Sequence, residues 1–303
     1  MPVYNGEKFI EKSLSSILKQ KIEPYEIIVI DDASTDNSYK ILNKYQKKFK
    51  NIKLFRNNTN LGEHQTTMKL IEKATGDFIK ILHQDDGLYE NYALEISQIN
   101  DIYKYSFIVN DYTYITEKNI ISNYLKKIWN NFKLDPNKLN KEDLLKFLLI
   151  YGNYLASPSN VLFNRGKLLK VYYSEYVEKL ISQNLFYGYD YYLSLKLLED
   201  GEVYVLFKDL SFRVEHSENQ TANTISSLKR VAGYYNILRI FENHLNEREK
   251  KLAYSNLFGR AMYSINSCKS KEEKNKMVQF VLNNYEYLTI DEKSKLNQML
   301  ENI

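Results

Sequence analysis

The chain has 303 residues, of which 44% are hydrophobic and 26% are charged, and its formal net charge is +4. A chain of this length can bury one large core, or one core with a smaller helical lobe. The single cysteine, Cys268, excludes an internal disulfide and argues against a structural zinc site. No stretch approaches the ~20 apolar residues of a membrane-spanning helix. The basic residues form no stripe and no nucleic-acid-binding motif, so we expect no nucleic acid partner.

The first strand predicted from apolar content ends in a cluster of carboxylates. Ile27–Asp31 is a short β-branched run that leads directly into the polar stretch Asp32–Asp36. Such runs are typical of buried strands in parallel sheets, where ligands lie beyond the carboxyl ends of the strands. Asp31 and Asp32 are therefore candidates to accept hydrogen bonds from a ribose or a base. The alternative is that both satisfy loop amides, while Asp36 caps the next helix.

A second predicted strand ends in the same way. Phe78–Leu82 is followed by His83–Gly87, a stretch with two adjacent aspartates. Between the two strands, Glu63–Thr75 has helical spacing, and we expect Gly76 to close that helix as its C-cap. This crossover would point both acidic clusters into one crevice. Paired oxygen ligands there suit a divalent cation that carries a phosphorylated ligand; the alternative is a solvated turn.

The rest of the chain is predicted to alternate helices and strands and then to become helical. The predicted elements are a helix over Glu90–Asn100, a strand over Phe107–Asp111, a polar loop or mobile arm over Lys118–Lys138, a helix over Leu139–Ile150 started by Asp135-Pro136, a strand over Val161–Asn164, a helix over Tyr191–Glu199 led by Asp190, and a strand over Glu202–Phe207. Asp111 is expected to cap a turn. From Ser226 onward the apolar spacing predicts two to four helices, which would shield the core or form a dimer or membrane contact.

Eight segments of the chain have the order and spacing of the motifs of one known family. They are Pro2–Asn5, Glu26–Asp36, Asn60–Gly62, Ala74–Phe78, Leu82–Asp86, Ser157–Ser159, Gly188–Asp190 and Arg213–His216. This pattern resembles the GT-A glycosyltransferases of family 2. The resemblance implies an α/β fold with a mostly parallel, Rossmann-like sheet flanked by helices. It also implies a glycosyltransferase domain over residues 1–220, with a nucleotide-binding half (1–100) and an acceptor half (101–220), followed by a C-terminal helical region over 221–303.

The resemblance further implies a reaction. An inverting enzyme of this kind moves a sugar from a nucleotide sugar, expected here to be UDP-linked, to a glycan or lipid-linked acceptor in surface polysaccharide biosynthesis. Mn²⁺ or Mg²⁺ would be its cofactor. Such a protein would be cytoplasmic and would contact the inner face of the cell membrane peripherally. The sequence leaves open whether it forms a homodimer.

Roles are assigned by the same resemblance, residue by residue. Asp190 would be the catalytic base. The residues implied in nucleotide binding are Pro2, Tyr4, Asn5, Asp31, Asp32, Gly62 and Asp85. The implied metal ligands are Asp85 and His216, with His83 as a third candidate, although His216 has an alternative as a surface loop histidine. Asp86, Ser159 and Tyr189 would lie in the acceptor or diphosphate region.

Three departures from the family pattern bear on function. His83 stands where the family has the first aspartate of its Asp-x-Asp motif. An imidazole there would shift the preference of the site toward Mn²⁺ or leave Asp85 as the main ligand. Alternatively, the His83 ring points away and bonds a backbone carbonyl. Tyr189 replaces a glutamate that often precedes the base. The apolar first strand expected before Pro2 is missing, so we expect the natural protein to begin upstream. These departures leave a second hypothesis open, a catalytically lapsed nucleotide-sugar-binding homologue. A nicotinamide-dependent dehydrogenase is disfavoured because no Gly-x-Gly-x-x-Gly follows a strand.

Overall fold

The computed structural model describes residues 1–155, 158–172, 188–216 and 227–301. The chain divides into two compact units. The first comprises Met1–Lys138, Leu155–Val171 and Asp200–His216, and the second comprises Leu139–Tyr154, Tyr172–Glu199 and Ser217–Ile303. This division does not test the predicted domain boundary at residue 220, which stays a prediction.

The secondary structure alternates through the first two thirds of the chain and is helical at its end. The strands are β1 (Pro2–Val3), β2 (Ile27–Asp31), β3 (Ile52–Arg56), β4 (Phe78–Lys80), β5 (Gly87–Leu88), β6 (Tyr105–Ile115), β7 (Ile120–Ile121), β8 (Val161–Asn164) and β9 (Glu202–Val214). The helices are α1 (Ile10–Leu18), α2 (Ser38–Lys48), α3 (Glu63–Lys73), α4 (Tyr92–Ser97), α5 (Tyr124–Phe132), α6 (Lys141–Tyr151), α7 (Arg165–Tyr172), α8 (Tyr189–Asp200), α9 (Ser227–Phe241), α10 (Glu247–Ser267), α11 (Lys271–Asn284) and α12 (Ile290–Glu301).

The strands of the first unit form two sheets. β1, β2 and β3 pair in that order and are all parallel. The second sheet has the order β4-β8-β6-β9-β5, with β7 on β6, and only its β6–β9 pair is parallel. The predicted α/β class with a parallel sheet is confirmed. The second, mixed sheet is a feature that was not predicted.

The connection between the two acidic strand ends differs from the predicted crossover. After β2 the chain forms α2 and then β3, which pairs with β2 from Ile27 opposite Ile52 to Asp31 opposite Arg56. Only then does α3 lead to β4, which belongs to the other sheet. The helix α3 ends at Lys73 with Ala74 as its C-cap at φ −69°, so the prediction of Gly76 as the cap is wrong. The chain leaves the helix in an extended conformation that needs no glycine.

The prediction of a polar loop or mobile arm over residues 118–138 is also wrong. This segment contains β7 and the helix α5, and Trp129 is among the largest fully buried side chains of the described chain. Leu125 and Trp129 are four residues apart, so they lie on the same buried face of α5. The carboxylate of Asp111 accepts hydrogen bonds from the backbone N–H groups of Leu125 (2.7 Å) and Lys126 (2.9 Å) and so satisfies the start of that helix.

The described part of the second unit is helical, as predicted from the spacing after Ser226. Residues 227–301 form α9 to α12. Asn246 and Glu249 make a reciprocal capping box at the start of α10, and the Ser270 side chain caps α11. Buried residues such as Ile265 and Met277 hold these helices together. Within the described residues, every helix is too short or too polar to cross a bilayer.

Candidate functional site

Asp32 holds the loop that follows β3. Its side chain is buried, and its Oδ1 accepts hydrogen bonds from Asn57 Nδ2 (2.7 Å) and from the N–H of Leu61 (2.9 Å). Its Oδ2 accepts one from the N–H of Gly62 (2.9 Å), which lies at φ +84° before α3. In this structure Asp32 therefore satisfies loop amides, the alternative raised from the sequence, and positions the start of α3.

Asp31 is fully buried at the end of β2. Its Oδ2 accepts a hydrogen bond from the N–H of Ser34 (3.2 Å) and lies 3.0 Å from Arg56 Nε. Its Oδ1 is without a hydrogen-bond partner among the residues that the structure describes. A buried acceptor without a partner is costly. Asp31 thus retains an oxygen that a donor group on a ligand could satisfy.

The loop after β1 connects the two acidic strand ends. The N–H of Tyr4 donates to Gln84 Oε1 (3.0 Å), and Gln84 Nε2 donates to the Tyr4 carbonyl (3.1 Å). Asn5 reaches the other cluster, because its N–H donates to Ser34 Oγ (3.0 Å) and its Oδ1 accepts from the N–H of Thr35 (2.8 Å). Its φ of +47° lies in the left-handed region, which asparagine tolerates. Pro2, which precedes this loop, is buried in β1 opposite Ile30.

The stretch after β4 gathers side chains that suit a divalent cation. His83, Asp85 and Asp86 each offer one atom that could ligate a metal, and these three atoms lie within 4.8 Å of one another. His216, at the end of β9, places its Nε2 3.1 Å from Asp85 Oδ2 and stacks on the Phe9 ring at 4.2 Å between centroids. Carboxylates are common ligands of Mg²⁺ and Mn²⁺, and neutral imidazoles of borderline transition metals. His216 is therefore brought to the acidic cluster, as the resemblance implies.

His83 carries a positive charge in this arrangement. Burial by itself would lower the pKa of the imidazole, but the Glu63 carboxylate, 2.9 Å from His83 Nε2, raises that pKa to about 9. The same ion pair lowers the pKa of Glu63. Because a protonated imidazole cannot ligate a metal, His83 would have to lose this proton to join the ligand set.

Asp86, a member of this cluster, and Ser159 bind backbone groups around it. Asp86 is buried, and burial raises the pKa of its carboxyl group; its Oδ1 accepts from the N–H of Val214 (3.2 Å). Ser159 is also buried, and its Oγ accepts a hydrogen bond from the N–H of His83 (3.3 Å). These two residues fix the backbone at the ends of β4 and β9. Their place in the acceptor or diphosphate region stays a prediction.

Lys80 gives this region a pH-dependent contribution to stability. Its Nζ donates to the Ser159 carbonyl (2.8 Å), and burial lowers the pKa of its amine to about 7. An unfolded lysine has a pKa near ~10.4, so between these values the unfolded chain binds more protons and stability rises with pH. We expect the Lys80→Met variant to have a higher free energy of unfolding than the parent chain at pH 7. This difference should shrink by on the order of 1–3 kcal/mol at pH 9.5, because the parent chain gains stability as the pH rises.

Urea unfolding of both chains at the two pH values measures this change. Lys47→Met, at an exposed lysine of α2, serves as the control and should show a constant difference from the parent chain. A Lys80→Met difference that is the same at both pH values would contradict the buried, neutral amine.

Asp190 lies in the second unit, in the first turn of α8. Its Oδ2 lies 3.4 Å from Asn153 Nδ2, and Tyr189 is the first residue of the same helix. Gly188 precedes the helix at φ +84°, a conformation that favours glycine. The predicted position at a helix N-terminus is confirmed, and there the helix dipole stabilises an ionised carboxylate. Ser157, the first residue of the predicted Ser157–Ser159 motif, lies outside the described residues.

Sequence reasoning missed three residues that organise the site: Asn57, Glu63 and Gln84. Asn57 follows β3 directly, so the rule that pointed to Asp31 would have found it had β3 been predicted. Glu63 lies in the first turn of α3, where a carboxylate has an ordinary role in the helix. Gln84 lies between predicted ligands, but nothing local indicates its bonds to Tyr4.

The fold and this site define the class of protein. A parallel sheet and a mixed sheet, with acidic clusters at the ends of β2 and β4, form a GT-A-like fold. The family described as "Glycosyl transferase family 2" matches residues 1–168, more than half of the chain. The chain belongs to this family of glycosyltransferases.

Two relatives illustrate the range of similarity. An uncharacterised glycosyltransferase of Haemophilus influenzae is 33% identical over 155 residues, which are 50% of this chain and 59% of that protein. The chain therefore spans less than two thirds of that relative. The UDP-Glc:alpha-D-GlcNAc-diphosphoundecaprenol beta-1,3-glucosyltransferase WfgD of Escherichia coli is 29% identical over 237 residues, covering 76% of this chain and 81% of the relative.

A solved structure supports the fold assignment. TarS of Staphylococcus aureus, residues 1–349 in complex with UDP-GlcNAc, superimposes with a TM-score of 0.65 at 16% identity and covers 99% of this chain and 82% of the other. At this identity the likeness concerns the fold alone.

Proposed function

We propose that this protein is an inverting, metal-dependent hexosyltransferase that uses a nucleotide sugar, with a UDP-linked donor as first choice. The observation that carries the proposal is the connection of the two acidic strand ends. The Tyr4–Asn5 loop bonds to Gln84 and Ser34, and the Gly62–Glu63 step bonds to Asp32 and His83. These bonds support the proposal that a base pocket and a cation site lie next to each other within the first unit, as a nucleoside diphosphate requires.

The proposed division of labour follows from what each side chain offers. Tyr4 would stack on the base, and Asp31 would accept a hydrogen bond from the base or ribose, with Pro2, Asn5, Asp32 and Gly62 shaping the pocket. Asp85 and His216, with His83 after deprotonation, would hold Mn²⁺ or Mg²⁺. The bound ion would neutralise charge on the departing nucleoside diphosphate. Asp86, Ser159 and Tyr189 would lie near the diphosphate or acceptor.

Asp190 is proposed as the base that takes the proton from the acceptor hydroxyl. A single displacement at the anomeric carbon inverts its configuration, so an α-linked donor would give a β-glycoside. The name of the E. coli relative, a beta-1,3-glucosyltransferase with a diphosphoundecaprenol acceptor, is in line with this outcome. We propose a glycan or lipid-linked acceptor in surface polysaccharide synthesis, met at the inner face of the cell membrane.

The test is a panel of nucleotide sugars assayed with Mn²⁺. A true donor should raise the melting temperature, since a ligand that binds only the folded chain stabilises it. The same donor should be hydrolysed slowly or transferred, and EDTA should abolish this turnover. Absence of both the thermal shift and the turnover with every UDP-sugar would contradict a UDP-linked donor.

The His83–Glu63 ion pair favours a second candidate, a nucleotide-sugar-binding protein without turnover. A cationic imidazole in place of a carboxylate can pair with a diphosphate directly and leaves the metal with fewer ligands. A donor that raises the melting temperature equally with Mn²⁺ and with EDTA, without hydrolysis, would support this candidate over the enzyme.

A further inference from the structure

Helix α2 lies in the most basic part of the chain. Between Asp36 and Glu63 the sequence has six lysines and one arginine and no acidic residue, which gives this segment a charge of +7 in a chain whose net charge is +4. Four of the lysines belong to α2, and all four are exposed: Lys40, Lys44, Lys47 and Lys48.

The spacing of these four lysines places them on one side of α2. They follow each other at intervals of four, three and one residues along a helix that turns once every ~3.6 residues. The buried residues of the helix, Ser38 and Leu42, lie on the other side. The four residues therefore form a lysine stripe that faces away from the core, and the expectation that the basic residues form no stripe is wrong for this helix.

The carboxylates on neighbouring elements act elsewhere. Glu26, at the start of β2, lies 2.7 Å from Lys53 of β3. On α1, which packs against α2, Glu11 faces Tyr45: burial and, to a smaller extent, the Glu11 carboxylate raise the pKa of the Tyr45 phenol. Tyr45 follows Leu42 by three residues and lies on the same side of α2. The lysines of the stripe make no ion pair with any residue that the structure describes.

The lysine stripe is unfavourable for the helix that carries it. Lys44 is four residues from both Lys40 and Lys48, and like charges at this spacing destabilise a helix. Lys47 and Lys48 lie in the last turn, where the helix dipole favours a cation, but Lys40 and Lys44 do not gain in this way. An anionic partner on this side of α2 would remove the repulsion.

We propose that the lysine stripe of α2 docks on the surface of an anionic phospholipid bilayer. Clusters of four or more basic residues on an amphipathic helix are typical of segments that bind anionic lipids, and each lysine near such a surface contributes about five-fold to the partition coefficient. Nucleic acid is a poorer fit, because the stripe has no aromatic side chain between its lysines on which bases could stack.

Docking through α2 would bring the candidate site to the bilayer. The N–H of Gly6 donates to Ser38 Oγ (2.8 Å), and the N–H of Glu7 donates to Asp36 Oδ2 (3.1 Å). The start of α2 is thus tied to the residues that directly follow the Tyr4–Asn5 loop. A lipid-linked acceptor would then meet the donor at the same surface. This consequence rests on the proposed function, whereas the docking surface itself does not.

The experiment measures binding of the purified chain to vesicles of phosphatidylcholine, with and without an equal part of phosphatidylglycerol. One variant replaces three lysines of the stripe: Lys40→Gln, Lys44→Gln and Lys47→Gln. It should bind the anionic vesicles about 100-fold more weakly than the parent chain. The matched control removes the same charge from three exposed lysines on other parts of the chain: Lys118→Gln, Lys269→Gln and Lys293→Gln. It should bind nearly as well as the parent chain.

Two further variants separate charge from folding. Glutamine is a good helix former, so the melting temperature of the stripe variant should match that of the parent chain. The single variant Lys44→Gln, which covers the case of an unstable triple variant, should lose about five-fold in binding. Arginine at positions 40, 44 and 47 keeps the charge and should keep the binding. None of these measurements needs a nucleotide sugar, so their outcome is separate from that of the transferase assay.

Three results would overturn the proposal. The first is a parent chain that binds vesicles with and without phosphatidylglycerol equally, or binds neither. The second is an equal affinity of the stripe variant and its matched control for anionic vesicles, which would mean that net charge or another surface is responsible. The third is tighter binding of the parent chain to a single-stranded oligonucleotide than to the vesicles at the same ionic strength, which would assign the stripe to nucleic acid.

Discussion

Replacement of Asp190 by asparagine is expected to lower kcat by ~10²–10⁴-fold and to leave donor binding unchanged. Asparagine has nearly the same shape and can keep the contact to Asn153, so the folded second unit should persist. What it lacks is the ability to accept the proton from the acceptor hydroxyl. Steady-state transfer measures kcat, and the donor-dependent thermal shift measures binding.

The matched control for this prediction lies on the same helix. Asp200 is the exposed last residue of α8, and Asp200→Asn makes the same chemical change away from the helix N-terminus. It should retain full activity. If Asp190→Asn also keeps its rate, then Asp190 is not the base, and the proposed mechanism needs another carboxylate.

Replacement of Asp85 by asparagine is expected to lower the metal-stimulated rate by ~10²–10³-fold, because electrostatic stabilisation of the leaving diphosphate is usually the largest catalytic contribution. Asp85 is the carboxylate that contacts His216, and it belongs to the cluster with His83 and Asp86. Titration of activity with Mn²⁺ should show a weaker apparent affinity as well as a lower plateau.

Asp101→Asn is the control for this change. Asp101 is exposed and lies at φ +50°, a conformation that asparagine tolerates, so the substitution should affect neither rate nor Mn²⁺ response. An unchanged Mn²⁺ titration for Asp85→Asn would mean that the cation binds elsewhere or is not used. It would then favour direct neutralisation of the diphosphate by His83.

The fold was predictable where the signal is local. The run Ile27–Asp31 and the spacing after Ser226 gave the correct element types because strand and helix patterns repeat within a few residues. The prediction over residues 118–138 failed because α5 exposes a polar face. Its Leu125 and Trp129 become buried only in the folded chain, where the helix contacts β6. Its N-terminal amides bond to Asp111, which lies outside the helix in sequence.

The candidate site divides in the same manner. The acidic residues at strand ends were identified from turn chemistry alone, since polar residues after a buried strand are a local feature. Their partners were not: Asp32 bonds to Asn57, His83 pairs with Glu63, and Asp85 contacts His216 from 131 residues away. Such pairs exist only once the strands and α3 are packed.

The sequence by itself determined which residues place carboxylate and imidazole groups at the ends of β2 and β4, and that Asp190 lies at the start of a helix, because these depend on neighbours within one turn or one strand. Only the tertiary structure decided their chemical states. The Glu63 carboxylate outweighs the effect of burial and makes His83 a cation. Loop amides occupy Asp32, while one oxygen of Asp31 stays without a partner among the described residues. Charge and hydrogen-bond capacity depend on the surrounding dielectric and on distant groups, which a linear pattern does not contain.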